Sequence, residues 1–134
     1  MVTGARVNLL TAAAATLAFL VATALLSAGA PAVVRGQASY RERIALPPDA
    51  VFEATLEDVS RPGAKAEVLG TVRLEKAGPV PIRFEIPYDP AKVDERHSYA
   101  VRARILRGDR LLFTTDTVHS VLTRGAGREV ELLL

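Results

Sequence analysis

Val80-Pro81-Ile82-Arg83-Phe84-Glu85-Ile86 alternates apolar and polar residues along its length. In an extended chain Val80, Ile82, Phe84 and Ile86 share one side, and Pro81, Arg83 and Glu85 share the other. A period of two with one charged face is a half-buried β-strand. Pro81 has no N–H to give to a ladder, which predicts a sheet edge here.

Working outward, the same period recurs between turns. Pro87-Tyr88-Asp89-Pro90 reverses the chain, and 91–97 reads as one helical turn or an irregular link. Tyr99, Val101, Ala103 and Ile105 then point inward, against Ala100, Arg102 and Arg104. Arg107-Gly108-Asp109 turns back into Leu111-Leu112-Phe113-Thr114-Thr115. A two-residue Gly108-Asp109 loop sets Ala103 opposite Thr114 and leaves Phe113 among the arginines. A longer loop sets Ala103 opposite Phe113, Ile105 opposite Leu111 and Arg104 opposite Leu112, which keeps the inner face apolar; this register is expected. Val118–Leu122, a turn at 124–127 and a last strand with Val130, Leu132 and Leu134 inward follow.

Upstream, 64–76 puts Val68, Val72 and Leu74 on one face, and Gly70 between them predicts a bulge or bend. Val51–Val59 places Phe52, Ala54 and Leu56 inward and Glu53, Thr55 and Glu57 outward. Ala38–Leu46 places Tyr40, Ile44 and Leu46 on one face. The breaks are Pro47-Pro48-Asp49, Arg61-Pro62-Gly63 and Ala77-Gly78-Pro79. Seven or eight short strands at even spacing give an all-β fold: a two-sheet β-sandwich, immunoglobulin-like or transthyretin-like, with an open barrel as the alternative. Tyr99, five residues after Asp94, fits a tyrosine corner and a structural role.

The N-terminal part differs. Between Val7 and Val34 there is no Asp, Glu, Lys or Arg, and Leu9–Leu26 reads as a hydrophobic, membrane-inserting helix behind the single charge of Arg6. Ala30-Pro31-Ala32 suits a secretory peptidase and predicts a mature start near Val33. An uncleaved anchor is the alternative, because the run exceeds the usual signal core of about 7–15 residues. The expected organisation is 1–32 signal peptide or anchor, 33–36 short linker and 37–134 sandwich.

From Arg35 onward there are 16 Lys and Arg against 15 acids, so the pI of 9.3 reflects a near-balanced chain and not a basic patch. Nucleic acid is therefore not an expected partner. With 5% aromatic residues and no Trp, neither a sugar platform nor base stacking is indicated. Cysteine is absent, which excludes disulfides, thiolate ligands and thiol nucleophiles.

The stretches SYRERIALPPDAVFEATLEDVSR, VPIRFEIPYDPAKVDERHSYAVRARI, GDRLLFTTDT and VLTRGAG resemble the YbaY-like envelope lipoproteins, related to the YscW-type pilotins of type III secretion. The likeness spans 37–134 and is strongest in ALPPDA, the PYDP turn, YAVRARI and LLFTTDT. These are turn and strand residues, so they carry fold more securely than function. The resemblance implies a β-sandwich on the periplasmic side of a Gram-negative envelope, or on the periplasmic face of its inner membrane if the leader is kept. It also implies work with another envelope protein. The family's lipidation site ends in Cys; Leu26-Ser27-Ala28-Gly29-Ala30 approaches such a site without one, so no lipid anchor is expected.

Catalytic signals are weak. His97 lies near Asp94 and Glu95, and His119 precedes Ser120, but no HExxH, GxSxG or histidine cluster supports either. Glu53 with Glu57, Arg41 with Arg43 and Arg102 with Arg104 share strand faces, as expected of a wetted sheet. Arg102 and Arg104 beside Thr114 and Asp116 form a candidate polar patch, with cross-strand pairing the simpler reading. Arg107-Gly108-Asp109 is read as a turn. No catalytic, metal or cofactor residue is assigned, and the partner-binding residues are left unknown. The expected function is a non-enzymatic envelope binding module, pilotin-like or chaperone-like; the alternative is an envelope protein that binds or processes polysaccharide or lipid. Fusing residues 1–36 to a reporter active only in the periplasm should give signal; activity confined to the cytoplasm would contradict export.

Overall fold

The computed structural model describes residues 32–134. Apart from Ala32, the expected leader and its helix lie outside these residues. Among the described residues there are eight strands: β1 (Ala32–Ser39), β2 (Val51–Asp58), β3 (Glu67–Leu74), β4 (Ile82–Tyr88), β5 (Tyr99–Arg107), β6 (Arg110–Thr114), β7 (His119–Val121) and β8 (Glu129–Leu133). One 3₁₀ turn, Pro90–Lys92, follows β4 and is capped by the Asp89 carboxylate accepting from the Ala91 N–H at 3.0 Å. Three strands form one sheet in the order β4-β1-β8; the other runs β3-β2-β5-β6, and β7 shares the β6 edge of β5. The two apolar faces meet in a sandwich core of Val34, Phe52, Leu56, Phe84, Ile86, Tyr99, Val101, Ile105 and Val121, among others. Phe52 and Phe84 join the sheets, their ring centroids 5.3 Å apart. Such a pair adds about 0.5–1.5 kcal/mol beyond area burial. β4 lies at an edge with Pro81 just before it, as the sequence predicts.

Four local expectations are corrected. The expected linker 33–36 is strand: Ala32–Ser39 is the middle strand of its sheet, antiparallel to β4 and parallel to β8. The strand expected over Ala38–Leu46 stops at Ser39, where the chain leaves one sheet for the other. There the Tyr40 hydroxyl donates to the Ile44 carbonyl at 2.6 Å, the Tyr40 ring stacks on Phe113 at 4.4 Å, and Ile44 faces solvent.

The third correction concerns β3. Leu56 faces Gly70 and Glu57 faces Val68, so Leu69 is an extra residue. That bulge turns Leu69 toward the core and leaves Val68 exposed, not inward. The fourth is the hairpin register. Arg107 faces Arg110 across a two-residue turn, with Gly108 at φ 58°, the positive value a tight hairpin needs at its first central position. A bulge at Leu112 then resets the pairing to Ile105 with Phe113 and Arg104 with Thr114. Phe113 is thereby kept on the inner side and Leu112 packs on the core, whereas Leu111 is exposed. The bulge gives the dry inner face that a longer loop was expected to give.

Gly36 is required by packing. A Cβ there would lie 2.5 Å from Phe84 Cζ and 2.8 Å from the Val130 carbonyl oxygen. Gly36→Ala should therefore destabilise the sandwich by about 1–3 kcal/mol, as overpacking does. Arg35→Ala next to it, at an exposed ion pair, should change stability by less than about 0.5 kcal/mol. Urea unfolding of the two variants measures the difference; equal midpoints would contradict the close approach of Phe84 to β1.

Candidate functional site

Three places bring polar groups together. The first is the end of the sandwich where β2 finishes and β5 begins. Asp58 and Tyr99 face each other there in the β2–β5 ladder. Asp58 Oδ1 accepts from the Ser60 N–H at 2.9 Å and from Ser60 Oγ at 2.6 Å, and Ser60 Oγ in turn accepts from the Ser98 N–H at 2.8 Å. His97 Nδ1 contacts Asp58 Oδ2 at 2.7 Å, while its Nε2 lies 3.9 Å from Asp94 Oδ2. The Tyr99 hydroxyl accepts from the Asp94 N–H at 2.8 Å, the tyrosine-corner bond expected from the five-residue spacing. Thr123 Oγ1 donates to the His97 carbonyl at 2.7 Å and Arg124 Nε to Ser98 Oγ at 3.1 Å, tying in the loop that leads to β8.

This cluster has the residue types of a catalytic triad in another arrangement. A nucleophilic serine must meet the histidine nitrogen that takes its proton. Here Ser60 Oγ gives its hydrogen to Asp58, and His97 Nε2 faces a second carboxylate. The geometry clamps three loops together. Burial pushes the Asp58 carboxyl up, but the Ser60 hydroxyl, the Ser60 N–H and His97 outweigh it and hold it below the ordinary value. The Arg96 side chain and then its N–H lower Asp94 to about 2. His119 is elsewhere, opposite Val101, with Nε2 3.2 Å from Thr117 Oγ1. Among the described residues no group of three or more His, Asp or Glu is set to hold a metal ion.

The second place is the outer face of the larger sheet. Glu53 on β2 receives Arg104 Nε at 2.7 Å from β5 and Arg73 from β3; Arg104 first, against burial, then Arg73 keep its carboxyl below the ordinary value. Glu57 lies 3.1 Å from Arg102 Nε. Glu53 and Glu57 on β2 are thus joined to Arg104 and Arg102 on β5 as cross-strand ion pairs. Asp116, Arg41 and Arg43 stand exposed outside them, and Arg107 pairs with Asp49 at 3.1 Å.

The third place is the outer face of the smaller sheet. Register sets Glu85, Arg35 and Glu129 in one row and Arg83, Gln37 and Glu131 in the next. The rung between them, Phe84, Gly36 and Val130, turns its side chains toward the core and leaves backbone on this face. A shallow hollow of about 590 Å³ crosses all three strands here. Arg35 meets Glu85 at 3.1 Å and Gln37 Nε2 donates to Glu131 at 3.3 Å. Sequence reading missed this place, because its middle strand begins in the stretch taken as a linker and was not recognised as a strand.

A family model described as type III secretion system lipoprotein chaperone (YscW) matches residues 30–134. The chain belongs to this family. Among YscW relatives, the Escherichia coli K12 protein named uncharacterized lipoprotein YbaY is 36% identical over 102 residues, which is 75% of this chain and 53% of that protein. The chain thus spans about half the length of that curated relative. A solved structure of an alternative pilotin from the type II secretion system of Vibrio cholerae superposes with a TM-score of 0.72 at 36% identity. It covers 78% of this chain and 96% of the Vibrio chain. The clamp predicts acid sensitivity. A carboxylate whose folded pKa is depressed contributes stability that is complete above its unfolded value near 4 and is lost as pH falls through the folded one. The urea midpoint should therefore drop steadily from pH 5 toward pH 2, and Asp58→Asn should flatten part of that drop. A midpoint that stays level to pH 3 would contradict the clamp.

Proposed function

We propose that this protein is a periplasmic accessory of envelope assembly, pilotin-like or chaperone-like, that holds a segment of another envelope protein against the outer face of its smaller sheet. The observation that carries this reading is the hollow across β4, β1 and β8, with two charged rows flanking a middle rung. Kinship with a family described by a secretion lipoprotein chaperone, and with a Vibrio pilotin, supports the accessory role. The compartment rests on those relatives and on the apolar leader.

Three of the four sheet edges among the described residues disfavour addition of a strand, all but that of β8. β4 carries Pro87, which has no N–H for a ladder. β3 is bulged at Leu69. The opposite edge of the larger sheet is split between β6 and β7 and bulged again at Leu112. Bulges, prolines and short strands are the devices that keep an edge from templating another chain. Non-enzymatic action follows from the same reading: Ser60 and His97 are spent on the loop clamp.

A photo-crosslinking residue at Gln37 should form an adduct with one envelope protein, and Arg83→Ala with Glu131→Ala should abolish that adduct. The same probe at Thr55, on the outer face of the larger sheet, should give none. An adduct at Thr55 alone would move the site to the other sheet.

A further inference from the structure

The loop that joins β7 to β8 is held in an unusual backbone. Leu122 has φ 70° and Arg124 φ 57°, and Gly125 and Gly127 are also left-handed, at 79° and 76°. A bulky, branched residue at positive φ is rare, and such strain persists only where its surroundings over-determine it. The Thr123 N–H reaches back to the Val121 carbonyl at 2.8 Å, and the Ala126 N–H to the Thr123 carbonyl at 3.2 Å. The loop therefore turns twice within a few residues. Arg124 and Arg128 line an open cavity of about 560 Å³ together with Tyr88, Val93 and Leu122 as its apolar wall and Glu95 as its one acid. Arg124 is braced by Ser98 Oγ at 3.1 Å. Arg128 has no carboxylate partner among the described residues.

The surroundings match a negatively charged surface. The three loops at this end, 59–66, 89–98 and 122–128, carry Arg61, Lys65, Lys92, Arg96, Arg124 and Arg128 against Asp89, Asp94 and Glu95, a net positive balance. They lie at the same end of the sandwich as Ala32, which pairs with Tyr88 of the cavity wall. In sequence, the apolar run read as membrane-inserting ends at Leu26, six residues before Ala32.

We infer that this cavity is a phosphate-binding site for the headgroup of an anionic membrane phospholipid. The guanidiniums of Arg124 and Arg128 take the phosphate oxygens, for which their planar, forked donors are suited. Tyr88, Val93 and Leu122 take the apolar part next to it. The choice of a lipid over free phosphate rests on that apolar wall and on reading the leader as membrane-inserting.

The test uses the full chain in maltoside micelles and follows the backbone amide signals of Gly125 and Gly127. Doping the micelles with phosphatidylglycerol should shift both signals saturably and leave Gly108, at the other end of the sandwich, unmoved. Arg128→Gln, which removes only an exposed charge, should raise the amount of lipid needed by about fivefold, the scale of one basic residue at an anionic surface. Arg124→Gln should do at least as much, and Arg124→Lys should restore part of the loss. Inorganic phosphate in lipid-free micelles should bind at least about tenfold more weakly, lacking the apolar part. Equal binding of inorganic phosphate would overturn the lipid assignment. Tighter binding of an acidic peptide would make the cavity a protein-docking site instead, and an absence of shifts with every probe would remove the site altogether.

Discussion

The smaller sheet exists only through β1. Its neighbours β4 and β8 pair with β1 and not with each other, so every ladder bond in that layer has one end on Ala32–Ser39. Buried backbone groups must find partners, and two strands left without their middle would have none. The constraint reaches into the core. β1 turns Val34, Gly36 and Ala38 inward, and the missing side chain at Gly36 leaves room for the Phe84 ring to lie over the strand and meet Phe52 of the other sheet. The same strand sets the two charged rows of the outer hollow in register, so fold and proposed docking face share one element.

At the far end of β2, a second set of contacts does for the loops what β1 does for the sheet. Asp58 is the hub: Ser60, His97 and, through Ser60 Oγ, Ser98 all gather on it. The Tyr99 hydroxyl fixes the start of the same loop. Exposed ion pairs contribute little on their own, whereas half-buried hydrogen bonds that each satisfy a backbone group contribute by removing a penalty. This explains why serine, histidine and aspartate can sit together without forming a reaction centre. It also leaves the neighbouring arginine loop firmly held, with Thr123 and Arg124 bonded to the clamp and the Arg128 side chain directed to the cavity.

Much of the architecture was legible wherever apolar and polar residues strictly alternate. The alternating faces of β4, β2 and β5 stand as read, although β4 runs Ile82–Tyr88: Val80 and Pro81 precede it, and Pro87 and Tyr88, read as turn, extend it. The misreadings fall where neighbouring residues are both apolar. Val68-Leu69 and Leu111-Leu112-Phe113 fit either face of a strand, so a period of two cannot place a bulge within them. β1 was hidden for a related reason: Ala32, Val33 and Val34 continue the apolar leader, and its inward Gly36 and Ala38 are too small to mark a face. Of the polar sites, the tyrosine corner was visible because its partners are five residues apart. The bond between His97 and Asp58 spans 39 positions and required the topology to be known. The outer hollow consists of residues that, one by one, look like an ordinary wetted surface.

The parallel pairing of β1 with β8 also bears on how the chain comes to be folded. Gln37 and Glu131, side by side in that ladder, are 94 positions apart. Among the described residues β1 is the first strand and β8 the last, so the smaller sheet closes only after the strands of the larger one have been made. Contacts of such long range slow folding, because the intervening loop must be closed before they form. The larger sheet needs neither end of that stretch, since β2, β3, β5 and β6 pair among themselves. Its apolar face therefore waits for the last layer to cover it.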